Sequence, residues 1–147
     1  EYLRGLCQQN AFALDGFEVL GQTVRLADVT LPLCAIACES DHIAPWKDSW
    51  NGIAQMGSAD REFILSESGH IAGIINPPSK KKYGHYTSVA GFAGDFEEWR
   101  ARAEFHPGSW WGRWGAWLAK RSGGKVPARD PGAGLGAAPG KYVHESA

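Results

Sequence analysis

Two polar side chains each follow an apolar run. Asp41 lies in ESDHIAPW (39–46), directly after LPLCAIAC (31–38). His70 lies in SGHIAGIINPP (68–78), directly after REFILS (61–66). A carboxylate that holds an imidazole makes a general base. The ring takes a proton from a nucleophile, and the acid fixes its tautomer. Ligands of open parallel sheets bind beyond the carboxyl ends of the strands. If the two runs are neighbouring parallel strands, Asp41 and His70 stand at that one edge, 29 residues apart in sequence but able to meet. The competing reading is plain: an Asp after a strand serves a turn, and a His in a Gly-rich loop is solvated.

A base needs something to deprotonate. An acid followed by a base, with the nucleophile earlier, is the chain order of α/β-hydrolases. The nucleophile elbow of that fold is G-x-S-x-G or its cysteine form, and neither occurs here. Cys34 and Cys38 lack the glycines of such a turn. On a strand they point the same way at roughly 13 Å, too far for a disulfide. Cys34, Cys38 and His42 would bind a metal together only on a helix, which Pro32 and the β-like run oppose; buried cysteines acting as small hydrophobes fit better. Lys80-Lys81-Lys82 suits an anion such as a CoA phosphate, or simply a solvated loop, and the loop is the preferred reading. Neither GGK (123–125) nor GK (140–141) has the upstream glycine of a phosphate loop.

The elements that would position the pair follow from pattern. Residues 1–13 suit a short helix with Tyr2, Leu6 and Cys7 on one face. FEVLGQTVRL (17–26) reads as a hairpin around Gly21-Gln22. Residues 31–38 are apolar on both faces, like a strand inside a parallel sheet. A helix from Pro45 to Met56 carries Trp46, Trp50 and Ile53 on one side, with Gly57 as its stop. With the strand at 61–66 this makes a βαβ unit, the mark of an α/β fold. A loop covers 69–88. Asp95 caps a helix with Glu98 three residues on. His106-Pro107-Gly108 breaks the chain, and SWWGRWGAWLAKR (109–121) forms a further helix. Its tryptophans suit packing on the sheet, or display to an apolar surface. Residues 122–147 form a flexible tail rich in Gly, Pro and Ala, anchored near its end by Tyr142 and Val143. The expected division is therefore a folded α/β part at 1–121 and a tail at 122–147.

Composition excludes several function classes. The chain has 147 residues, 44% hydrophobic and 21% charged, with net charge −1. That is a soluble globular balance, with no general attraction to nucleic acid or anionic membrane. Residues 1–60 carry 3 basic and 8 acidic side chains, and residues 61–147 carry 12 and 8; solvation accounts for so mild an asymmetry. No apolar run reaches the roughly 18–20 residues of a membrane helix. Three cysteines, an odd number, point to a reducing, cytoplasmic setting. The chain starts at Glu1 without an initiator Met, as a C-terminal fragment of a longer protein would.

ESDHIAPW, SGHIAGIINPP, HPGSWWGRWGAWL and PGKYV, in that order and spacing, resemble the C-terminal part of class I polyhydroxyalkanoate synthases (poly-3-hydroxybutyrate polymerases) from about Tyr2 to Tyr142. The ordered set is far more specific than any of its words. The resemblance implies an α/β-hydrolase fold, here its last parallel strands and helices, with a small hairpin. It implies a Cys-Asp-His triad in which Asp41 and His70 match the acid and the base, while the Cys lies upstream. It implies transfer of (R)-3-hydroxyacyl groups from CoA to a growing polyester, with CoA released and no separate cofactor. In this family His70 would take the thiol proton, and Asp41 would activate the substrate hydroxyl, orient His70, or both. Lacking the nucleophile, the chain alone would be inactive. The implied partners are the acyl-CoA, the polyester chain, the granule surface and a second copy in the full-length dimer. Two departures stand out: VRL (24–26), where an acidic residue is common after the Val, and the Gly content of 122–140. An esterase or polyester depolymerase on the same fold is the alternative, as is a non-catalytic granule module.

Overall fold

The computed structural model describes residues 1–14, 16–130, 132, 134 and 136–146. The chain opens on a π-helical turn, Leu3–Gln8, and a short helix α1 (Ala11–Leu14). Tyr2 and Cys7 are exposed and only Gly5 is buried, so the expected shared face does not form. Strands β1 (Phe17–Val19) and β2 (Gln22–Val24) pair antiparallel as a separate two-stranded sheet. The turn is Leu20-Gly21, one residue earlier than expected, because Val19 pairs with Gln22. Both turn residues take positive φ, 51° and 76°. A two-residue hairpin loop of that type matches strand twist, at the cost of a left-handed Leu.

The second sheet has the order β3-β4-β5-β6. Strand β3 (Leu33–Cys38) and β4 (Arg61–Ser66) pair parallel in register, Leu33 with Arg61 and Cys38 with Ser66. Helix α2 (Trp46–Ala54) links them, completing the expected βαβ unit. Strand β5 (His85–Thr87) adds antiparallel to β4, and β6 (Glu104–His106) antiparallel to β5. The result is a mixed α/β architecture with two open sheets.

Three expectations change here. The loop over 69–88 contains β5, and β6 precedes the His106-Pro107-Gly108 break. Each has three residues, too few for alternation to register. The apolar run of β3 is not an interior strand among the described residues. It forms the sheet edge, with only Ala37 and Cys38 fully buried. Finally, Gly57 is not what closes α2. Arg61 Nη1 donates to the carbonyls of Ile53, Ala54 and Met56 at 3.1, 2.8 and 2.9 Å, satisfying the orphan acceptors of the helix end. Gly57 instead leaves room for the Ala27 carbonyl, into which a Cβ would run.

The core lies on one face of the second sheet. Alternation sends Ala37, Phe63 and Leu65 to that side, where they meet Trp46 and Trp50 of α2 and Trp99 of α3 (Phe96–Arg102). Phe63 meets Trp99 edge-on at 5.1 Å between ring centres. Asp95 caps α3 as expected, its Oδ1 accepting from the Glu98 N–H at 2.9 Å. Glu98 lies 4.0 Å from Arg102 one turn on.

The opposite face carries α4 (Trp111–Ala119), which buries none of its own residues. Trp110, just before it, is buried. Trp117 is half-buried, and Trp111, Trp114 and Leu118 remain exposed. The expected packing of the tryptophans is therefore met by Trp110 and only in part by Trp117. Ion pairs Arg113–Glu62 and Arg121–Asp60 tie α4 to β4 and the residue before it. Beyond Ser122 the described residues are exposed, and Tyr142 and Val143 form an exposed 3-10 turn rather than an anchor. Positions 131, 133, 135 and 147 of the expected tail lie outside the described residues. Among the described residues no helix is long and apolar enough to cross a membrane.

Candidate active site

Parallel register brings Asp41 and His70 together. Each β3 residue faces the β4 residue 28 positions on, as Cys38 faces Ser66. The ladder runs past the strand ends: the Glu39 N–H donates to the Ser66 carbonyl at 2.8 Å, and the Ser40 N–H to the Ser68 carbonyl at 3.0 Å. The next residues on each side are Asp41 and the Gly69-His70 turn. His70 Nδ1 lies 2.8 Å from Asp41 Oδ2.

Asp41 uses its two oxygens differently. Oδ1 accepts from the Ile43 and Ala44 N–H groups, both at 2.9 Å, an Asx-type turn that ends the strand segment. Oδ2 faces the imidazole. One oxygen of Asp41 thus serves the turn, and the other meets the imidazole expected to be its partner. The Ala44 N–H, then the His70 ring and the Ile43 N–H, hold the carboxyl down at about 2 against the opposing effect of burial. An ionised carboxylate can only accept, so Nδ1 carries a proton, and in the neutral imidazole Nε2 is then the acceptor. The Asp41 side chain is only 7% exposed and that of His70 is 46% exposed. The carboxylate is covered and the imidazole is open to solvent.

The poly(3-hydroxyalkanoate) polymerase subunit PhaC of Rhizobium etli is 40% identical to this chain over 148 residues, covering 98% of the chain and 22% of that protein. The poly(3-hydroxyalkanoate) polymerase of Methylorubrum extorquens is 42% identical over 152 residues, 99% of the chain and 25% of that protein. The chain is a relative of the poly(3-hydroxyalkanoate) polymerases. Subunit PhaC of Cupriavidus necator matches it at 40% over 152 residues, 99% of the chain and 26% of the protein. The chain spans about a quarter of the length of the curated polymerases it matches. No family model matches it.

The remaining candidates fall away from the pair. The two strand cysteines behave as buried thiols. Burial first, then Glu62, pushes Cys34 up to about 11, and burial, then Asp41, does the same to Cys38. Both stay protonated near neutral pH and are poor nucleophiles. They lie on a strand, so Cys34, Cys38 and His42 do not share a helix face. His42 is exposed and makes no side-chain hydrogen bond among the described residues. Lys80 and Lys82 border an open cavity of about 470 Å³ with Ile71, Ile75, Asn76 and Tyr83, just after His70 in the chain.

Several supports of the site escaped the sequence reading. Glu39 Oε1 accepts from Arg100 Nε and Nη2 at 3.1 and 2.9 Å, and Arg100 stacks 3.7 Å over Tyr86. This clamp ties the end of β3 to α3. The adjacent charge in ESD was its only trace in the sequence. The turn after His70 closes through the Gly73 N–H donating to the Gly69 carbonyl at 3.0 Å. Gly73 is wedged there: a Cβ would sit 2.5 Å from Cys38 Sγ and 2.8 Å from the Glu67 carbonyl.

Proposed function

We propose that this chain is the C-terminal part of the α/β-hydrolase catalytic domain of a polyhydroxyalkanoate synthase, and that it supplies the acid and base of a Cys-Asp-His triad. The observation that carries the reading is the Asp41–His70 hydrogen bond at 2.8 Å. It gives the matched words of the polymerases a working geometry. The nucleophilic cysteine comes from the rest of the enzyme, because no cysteine here has both flanking glycines of a nucleophile elbow.

The reaction follows from the free Nε2. His70 takes the proton of the cysteine thiol, and the thiolate attacks the thioester carbonyl of an (R)-3-hydroxyacyl-CoA. CoA leaves as its thiol with the proton carried by His70, and the acyl group stays on the enzyme. His70 then takes the proton of a 3-hydroxyl group, whose oxygen attacks an acyl thioester to extend the polyester; the C–S bond breaks, and the departing sulfur takes that proton from His70 and leaves as a thiol. Asp41 orients and charges the imidazole in both steps. Both its oxygens are already engaged, and a carboxyl held near 2 is a weak base toward a hydroxyl. The acyl-CoA is the substrate, so no separate cofactor enters. The growing polyester, its cytoplasmic granule surface and a second polymerase copy are the partners under this reading.

The test is CoA release from 3-hydroxybutyryl-CoA by the complete polymerase. His70→Ala should lower the rate by about 100-fold or more, the usual scale for a general base. Release at the unaltered rate in the His70→Ala enzyme would overturn the assignment.

A further inference from the structure

The turn that carries His70 is held from the opposite side by two adjacent tryptophans. Trp110 Nε1 donates to the Gly73 carbonyl at 2.9 Å, and Trp111 Nε1 donates to the Ile74 carbonyl at 3.0 Å. Ser66, fully buried at the end of β4, has its hydroxyl 3.0 Å from the same Gly73 carbonyl and 3.2 Å from that of Glu67, the Gly73 carbonyl being the nearer acceptor. Three donors from two elements therefore converge on two successive carbonyls, three and four residues after His70. Neighbouring residues at a helix start point about 100° apart, so both rings reach this turn only because it lies across the start of α4. The rings meet each other edge-on at 6.3 Å.

We infer that Trp110 and Trp111 are positioning residues for His70: their indole N–H groups fix the turn on which the imidazole meets Asp41. This rests on the functional reading above. The physical reason is directional. Gly69 and Ala72 near His70 carry little side-chain bulk, and Ile71 beside it is exposed, so none of the three locks it. Asp41 restrains the ring at one nitrogen only. The backbone beneath must then be held by bonds of its own, and a displacement of about 1 Å at a reacting group can cost about 100-fold in rate. Apolar packing does not give such direction; two N–H donors do.

The experiment is steady-state CoA release from 3-hydroxybutyryl-CoA by the complete polymerase, with urea unfolding of each variant. Trp111→Phe keeps a ring of similar reach and removes the donor at a partly exposed site, so folding is preserved. Its kcat should fall about 10-fold, with KM within about twofold and the urea midpoint unmoved. Trp110→Phe should also lower kcat, by less, because Ser66 still holds the Gly73 carbonyl. The double variant should fall further than either. Trp114→Phe, on the same helix with its ring 6.0 Å from Trp110, is the control and should keep the parental kcat. Parental kcat in both Trp110→Phe and Trp111→Phe would overturn the inference. So would an equal loss in Trp114→Phe, or a loss that merely follows the urea midpoint. If His70→Ala itself leaves the rate unchanged, the functional reading fails first; if only the tryptophan variants do, the positioning role alone fails.

Discussion

Asp41 joins a structural duty to a chemical one, and the two can be separated by a single atom. Asp41→Asn keeps an oxygen for the Ile43 and Ala44 N–H groups but turns an amide donor toward His70. That favours the other tautomer and leaves Nε2 protonated, so CoA release should drop by about 100-fold or more while the fold persists. Activity and far-UV dichroism on one sample would check it, and full activity would contradict it. The same carboxyl links stability to acid. Its folded value of about 2 lies below the ordinary 3.8. Its contribution is therefore fully present above pH 3.8 and is lost as pH falls through about 2. Urea midpoints over that window should show a drop that is smaller in Asp41→Asn. Equal slopes in the two proteins would mean that Asp41 has no such linkage.

At the scale of elements, the site depends on how closely the His70 turn approaches β3 and β4. Gly73 permits that approach. Gly73→Ala places a methyl against Cys38 Sγ and the Glu67 carbonyl, and backbone cannot yield as a flexible side chain does. The expected cost is about 1–3 kcal/mol in urea unfolding, with CoA release lowered as the turn shifts. A stable, fully active Gly73→Ala enzyme would show that the turn has slack. The βαβ unit, the α3 cap and the strand at 61–66 were legible because length and pattern agreed there. The short strands β5 and β6 were not, since three residues carry no usable period and their pairing is made by distant partners.

Across the whole molecule the two faces of the main sheet differ. One carries the aromatic core of Trp46, Trp50, Phe63 and Trp99; the other carries α4, held by ion pairs and indole bonds with no fully buried residue of its own. Local opening should follow that difference. In hydrogen exchange, amides of Phe63–Ser66 on β4 should be the slowest and those of α4 faster. The reverse order would contradict the fold described. Alternation along β4 sends Phe63 and Leu65 to the core face, but the amount of cover on each face depends on which elements arrive there.

By itself the sequence determined which residues could act. Asp41 and His70 were named by type, by their place after two apolar runs and by the words around them. Local chemistry also sufficed for the α3 cap and for the boundaries of β4. Tertiary structure decided what connects them. The parallel register puts an acid beside a base 29 residues away. One carboxylate is shared between a turn and an imidazole, and two tryptophans from a later element hold the turn beneath His70. Periodicity reports which face a residue lies on; it carries no information about the partner that supplies a hydrogen bond from 37 residues away.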